Sequence, residues 1–367
     1  MTATIYRKLQ EQIDQYSLGF PAAESGIDLK ILGKLYTEEE ASVFLDISMQ
    51  LETPASLSER TNRDPQKTEA LLEEMAKKGL LFRKRKDKLV YYAAIPFVIG
   101  SFEFQLNRID KEFAEMVESY FNEIYLNNLG GILPPLRTIP VNRAVNVSHN
   151  VAPYEDARAI IKSKNKIAVA NCICRTHRKL LDENCGKPLE ACFVFGSHAE
   201  YYLENKMARE IGQVEALAIL DECEKAGLVN QPANMINPGG MCNCCGDCCG
   251  VLRALNQMSK PSEQVTNNYW ASVDPDLCSR CELCIERCQM AAIHMDEKQL
   301  STIDTDRCIG CGLCVTTCPE EALSLVLKPE DKRCIPPESG MELMIKTAET
   351  RGTSLIPFSM RENGKSP

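Results

Sequence analysis

The sequence predicts an α+β, multidomain chain of 367 residues, and three observations carry that expectation. All nineteen cysteines lie at or beyond Cys172, so a cysteine-free half precedes a cysteine-rich one. Two cysteine quartets of identical spacing stand thirty residues apart, Cys278, Cys281, Cys284, Cys288 and then Cys308, Cys311, Cys314, Cys318. Residues 38–93 read as three helices followed by two short strands. The length itself is that of two or three domains.

Composition narrows the class. A hydrophobic share of 44% and a charged share of 25% are ordinary for a globular chain. No apolar run approaches the ~20 residues of a membrane span, so no membrane insertion is expected. The N-terminal MTATIYRKLQEQIDQY lacks the apolar core of a signal peptide, which points to a reducing, cytoplasmic location. A net charge of −9 argues against wholesale nucleic-acid binding and fits basic redox partners better.

In the N-terminal half, Glu38 to Met49 reads as a helix, and Ser56 with Glu59 reads as a capping-box start of a second helix through Thr61. Asp64 as N-cap and Pro65 at the first helical position open a third helix to Lys78, which Gly79 closes in a left-handed conformation. LLFRKRKDKLVYYAA then supplies two strands around a turn at Lys86 to Lys88. Three helices and a hairpin resemble a winged helix. That resemblance implies a third helix in the major groove and a hairpin on phosphate, with Arg83, Lys84, Arg85, Lys86 and Lys88 as contacts. Glu69, Glu73 and Glu74 give the third helix the wrong sign for that task, so the hairpin is expected to be a solvated turn or a protein dock. Beyond it, Phe102 through Tyr125 reads as helix, broken by Gly130, Gly131, Pro134 and Pro135. LPPLRTIPVNRAV is too apolar for a free linker and is expected along the surface of the core.

The central region opens on a predicted strand, KIAVANCICRTHR, whose apolar residues end at Cys172 and Cys174. Arg175, His177, Arg178 and Lys179 follow, and the cations would lower the pKa of nearby thiols and favour metallation. Arg175 and His177 are therefore candidate cofactor-side residues, since donors beside a cluster raise its potential. Cys185 and Cys192 come next, and GMCNCCGDCCG places Cys242, Cys244, Cys245, Cys248 and Cys249 within eight residues. These nine cysteines, Cys172 to Cys249, are candidate ligands of one or two further iron–sulfur clusters. Gly239 and Gly240 would leave backbone room for a bulky cofactor. Cys223, inside a predicted helix, reads as a buried thiol, and Cys334 has no obvious company. His177 and His198 are possible ligands or proton carriers, though a hydrogen-bond donor beside a cluster or a surface residue is the commoner role, and Tyr201 and Tyr202 read as helix packing.

The doubled quartets point to iron and sulfur. Three thiolates two residues apart wrap one corner of a cube, while the fourth, three residues on, points away and serves the other cube. The assignment is therefore crossed: Cys278, Cys281, Cys284 with Cys318, and Cys308, Cys311, Cys314 with Cys288. Disulfides would need an oxidising compartment, and zinc favours separated CxxC pairs over a CxxCxxCxxxC string. The flanks repeat at the same offset, Asp274 with Asp304, Leu283 with Leu313 and Ala292 with Ala322, as a duplicated half-module would. The segment from about 272 to 328 resembles the bacterial dicluster ferredoxin family at eight of eight cysteines, which implies two [4Fe-4S] clusters used for one-electron transfer. It departs from the pattern at Gln289, where the second quartet has Pro319.

Two further resemblances reach the centre. Cys244-Cys245-Gly246 and Cys248-Cys249-Gly250 resemble part of the motif of heterodisulfide-reductase catalytic subunits, which implies only that paired thiols can hold an unusual cluster or perform thiol chemistry. The stretch from Cys172 to about Ile293 resembles a family of dicluster-ferredoxin proteins with an added cysteine-rich module, found mostly in strict anaerobes; electron transfer is all that this implies.

No dinucleotide fingerprint, phosphate loop, HExxH or nucleophile elbow occurs. The expected division is a helical arm and winged-helix-like domain over 1–100, a helical connector over 101–150, a cysteine-rich metal-cluster module over 151–270, a ferredoxin-like dicluster domain over 271–328 and a tail over 329–367. Two [4Fe-4S] clusters are expected in 271–328 and one or two more in 151–270. The leading function is a relay of single electrons between these clusters and a redox partner protein or enzyme complex. A reductase with a central active site and a redox-sensing, DNA-binding regulator are the alternatives, with nucleic acid not the expected partner and the oligomeric state open.

Overall fold

The computed structural model describes residues 2–127, 130–141 and 152–362. At the N-terminus α1 (Thr2–Asp14) and α2 (Ile27–Leu35) precede α3 (Glu38–Phe44), α4 (Pro54–Thr61) and α5 (Pro65–Lys77). α3 starts on a Thr37–Glu40 capping box and stops at Phe44, short of the expected Met49. The cap of α4 is Thr53, not Ser56: its side chain accepts the Ser56 N–H, and Pro54 takes the first helical position. Thr-Pro there satisfies both preferences at once, which starts the helix earlier than the Ser56–Glu59 pair would. Asp64 caps α5 through the Lys67 N–H, and Gly79 follows at φ 76°. A Cβ at Gly79 would come within 2.7 Å of Phe104.

β1 (Phe82–Lys86) and β2 (Leu89–Ala93) pair antiparallel across Asp87 and Lys88, which adopt φ values of 50° and 66°. Arg83 is buried and bonds Glu73 at 2.8 Å and Glu204 at 2.5 Å, while Arg85 reaches Glu204 at 3.1 Å. The hairpin's base is thus tied to the cysteine-rich half.

The continuous helix expected from Phe102 to Tyr125 is interrupted. A 3-10 turn at Glu103–Gln105 precedes α6 (Lys111–Glu123), because Asp110 accepts the Phe113 N–H at 2.7 Å and starts a fresh helix. Residues 136–141 are buried, not laid over the surface. Arg137 and Ile139 donate to Pro232 and Asn230, and the Val141 N–H donates to the Cys311 carbonyl at 2.9 Å, so the segment closes a sheet edge. Residues 142–145 of the same stretch lie outside the described residues.

The centre is a five-stranded antiparallel sheet of β3 (Ile167–Asn171), β4 (Glu190–Phe195), β5 (Ala208–Ile211), β6 (Val229–Pro232) and β7 (Gly240–Cys244), in the order β5-β3-β4-β7-β6. Period-two alternation sorts its residues. Ile167, Val169, Phe193, Phe195 and Met241 meet α7 (Ala157–Lys162) and α10 (Gln213–Lys225). Ala168, Ala170, Cys192 and Val194 meet the large N-terminal core instead. α8 (Ile173–Leu180) follows β3, α9 (Ser197–Glu204) follows β4 and α11 (Gly250–Gln257) follows β7.

In the C-terminal module β8 (Tyr269–Val273) pairs with β11 (Leu323–Leu327), and β9 (Ile293–Met295) with β10 (Ser301–Ile303), around α12 (Leu283–Arg287). α13 (Gly340–Arg351) and α14 (Phe358–Glu362) fold back onto α1, where Arg351 donates to the Asp14 carbonyl at 2.6 Å. Among the described residues no helix is long and apolar enough to cross a membrane.

Candidate metal centres

The two quartets fold into matching loops. Cys278, Cys281, Cys284 and Cys318 line one small cavity, together with Ser301 and Ala322. Cys308, Cys311, Cys314 and Cys288 line another, together with Met290 and Ile309. These are the crossed sets. Cys308 Sγ accepts the Ala271 N–H at 3.4 Å and Cys288 Sγ the Ala292 N–H at 3.3 Å, contacts that favour thiolate sulfur. The two cavities differ in exposure. Cys281 is exposed, whereas burial pushes the Cys311 thiol up to about 12 and raises Cys314 as well.

The nine central cysteines separate into six and three. Cys172 interacts directly with Cys174 and Cys192, Cys174 with Cys249, Cys249 with Cys244, Cys244 with Cys242, and Cys242 with Cys192, so six thiols close a ring. The sheet explains the assembly. Cys192 and Cys242 are cross-strand partners, Cys244 shares the face of Cys242, and Cys172 and Cys249 are the N-cap residues of α8 and α11. Contact with neighbouring thiols lowers Cys172, Cys249 and Cys242, so the ring holds thiolate more readily than isolated buried thiols would.

All six ring cysteines line a cavity of about 180 Å³ whose other walls include Val98, Ile99, Phe102, Tyr125, Tyr202, Glu103 and His198. The donor set and its surroundings suit a metal centre. The Tyr125 hydroxyl is buried with no hydrogen-bond partner among the described residues, although it lies in the field of Cys249 and Cys174. Burial raises the Glu103 carboxyl to about 8 against the Gly100 N–H that it accepts at 2.7 Å. Burial lowers His198 to about 4, and Phe82 stacks on its ring at 4.8 Å.

Cys185, Cys245 and Cys248 form the other set, with all three sulfurs within 4.8 Å of one another. Arg175 stands between the sets. Despite burial it is held more firmly protonated by Cys172, Cys245, Cys192 and Cys244, and its guanidinium donates to the carbonyls of Pro188 at 2.9 Å and Asn243 at 2.7 Å. His177 is not drawn to the cysteines in the same way. Its Nε2 meets the Ala114 carbonyl at 2.9 Å and its ring packs on Phe102 and Phe121, because α8 presents it to α6 and not to the sheet. Cys223 is fully buried, pushed up to about 12 by that burial, and Cys334 contacts the Asn268 side chain at 3.5 Å.

Gln289 explains its departure from the quartet pattern. Its Oε1 accepts the Gly246 N–H at 2.7 Å, and its carbonyl accepts from Asn256 at 3.0 Å, which joins the Cys288 loop to the Cys245–Cys248 loop. Gly246 has to be glycine for this approach, since a Cβ would stand 2.8 Å from the Gln289 carbonyl. Sequence reasoning missed Glu103 and the contact of Gln289. A lone carboxylate within FVIGSFEFQ was the available signal for the first, and the Gln-for-Pro exchange for the second.

No curated protein and no solved structure matches the chain. Residues 271–325 match the family described as the 4Fe-4S dicluster domain, and the C-terminal module is accordingly a dicluster domain of ferredoxin type.

Proposed function

We propose that the protein relays single electrons between a redox partner protein and thiol-bound centres in its own cysteine-rich half. The dicluster domain supplies one-electron storage at two [4Fe-4S] clusters, with Cys278, Cys281, Cys284, Cys318 holding the outer and Cys308, Cys311, Cys314, Cys288 the inner. The observation that carries the reading is the junction at Gln289. The inner quartet's loop is hydrogen-bonded to the cysteine-rich loop whose neighbours complete the six-thiol ring, while the outer quartet keeps Cys281 at the surface, where a partner can dock. Arg175 offsets thiolate charge at the ring, and the Tyr125 hydroxyl offers a hydrogen bond to the group bound there. Iron and acid-labile sulfide analysis with EPR on anaerobically purified protein tests this. A relay requires more than the eight or so irons of two cubanes.

The enclosed cavity favours a second reading, a reductase whose ring centre is the active site. Turnover of a small substrate that is lost in Glu103→Gln, with iron content retained, would distinguish it from a relay.

We assign the N-terminal three helices and hairpin to a winged-helix-like unit used for docking within the chain. Arg83 and Arg85 are already paired with Glu73 and Glu204, which withdraws two of the hairpin's five cations from phosphate. The domain division set out above, over 1–100, 101–150, 151–270, 271–328 and 329–367, completes this reading, with one qualification: the last segment docks on the first through Arg351.

A further inference from the structure

Adjacent cysteines in the two Cys-Cys pairs serve different sites. Along β7 side chains alternate, so Cys244 faces the ring and Cys245 leaves it. After the turn, Cys248 stays with Cys245 while Cys249, at the cap of α11, returns to the ring. Cys185, from the loop between α8 and β4, completes the outer group. Among the described residues this is the one group of three or more ligand-type side chains whose donor atoms all lie within 4.8 Å.

That spacing has a chemical meaning. Cys185 and Cys245 sulfurs are 3.9 Å apart. Thiolates on one tetrahedral ion with metal–sulfur bonds of about 2.3 Å stand about 3.8 Å from each other. Thiolates that ligate different irons of a cube must stand farther apart, and neither ferredoxin quartet gathers this tightly. The neighbourhood is also suited to thiolate. Two cations, Arg175 and Lys187, stand close enough to Cys245 to act on it.

We propose that Cys185, Cys245 and Cys248 bind a single divalent ion of the zinc class, separate from the iron–sulfur centres, with the fourth coordination position open to water. Among the described residues no further His, Cys, Asp or Glu joins the three sulfurs within 4.8 Å. Cys223 packs in the same small apolar cluster but lies outside the group of close sulfurs, and Asp247 on the rim is paired with Lys187 at 2.5 Å. The ion would clasp the Cys185 loop to the loop that Gln289 holds, and so fix the strand end that carries Cys244 into the ring.

The test is metal analysis on the full-length, anaerobically purified protein, with Cys185→Ser, Cys245→Ser and Cys223→Ser beside it. One metal atom per chain is expected to be lost in the first two variants, with iron–sulfur content retained, and none in Cys223→Ser. Cys185→Ser lies in a loop and guards against a folding failure in Cys245→Ser. Cobalt(II) exchanged for that atom in the wild-type protein should give one equivalent of thiolate-to-cobalt charge-transfer absorption that both variants lack. Loss of several irons with sulfide in Cys185→Ser, or unchanged metal content together with no cobalt signal, would overturn the proposal.

Discussion

In the loop of the first quartet Arg280 and Glu282 hold the left-handed φ values of 64° and 62° that Gly310 and Gly312 hold in the second, at 69° and 76°. Ala291 and Glu321 match likewise, at 49° and 52°. The same left-handed turns carry different residues because their surroundings differ. The first loop faces solvent, so long side chains fit. The second packs under β8, where a Cβ at Gly310 would collide with the Tyr269 carbonyl and stand 2.8 Å from the Asn267 side chain. The duplication sets how the cysteines are arranged, and the packing sets what surrounds each half: the outer half opens to solvent at Cys281, and the inner half meets the rest of the chain.

Breaking this comparison gives the largest effects first. Cys311→Ser should remove the buried inner centre, with about four irons. Cys281→Ser, at the exposed corner where solvent can replace the thiolate, should convert its centre with a smaller loss. Iron and sulfide analysis with EPR reads both, and equal losses would contradict the difference in exposure. Gly310→Ala should cost about 1–3 kcal/mol, because it combines a left-handed φ with a steric contact. Arg280→Gly at the matching position should stay within about 0.5 kcal/mol. Denaturation midpoints of the holo-protein decide, and a similar shift in both would show that the loops are equivalent after all.

Gln289→Pro restores the residue of the second quartet and removes the bond to Gly246. It should leave iron content intact, cost about 1 kcal/mol and slow reduction of the central centres after the dicluster domain is reduced. An unchanged transfer rate would remove Gln289 from the path. Cys223→Ser is the smallest perturbation: iron content should not change, and a loss would place this thiol among the ligands.

The quartets were legible because the four cysteines of each lie within eleven residues, and local spacing states the chemistry. The ring was not, since it draws Cys172 and Cys174, Cys192, Cys242 and Cys244, and Cys249 from separate segments that only sheet register brings together. The two members of each Cys-Cys pair could be told apart only once β7 was known to end at Cys244. The burial of residues 136–141 escaped notice for a related reason: their hydrogen bonds run to β6 and to the inner quartet, both remote in sequence. At α4 the error was local, between two adjacent capping signals.

The central claim is that the dicluster domain is wired to a metal-bearing thiol ring. Counting iron and sulfide per chain under anaerobic conditions, with EPR during stepwise reduction, tests it most directly. The account predicts more than about eight irons and a further paramagnetic centre besides the ferredoxin pair. About eight irons, with the six ring cysteines reacting as free thiols, would contradict it.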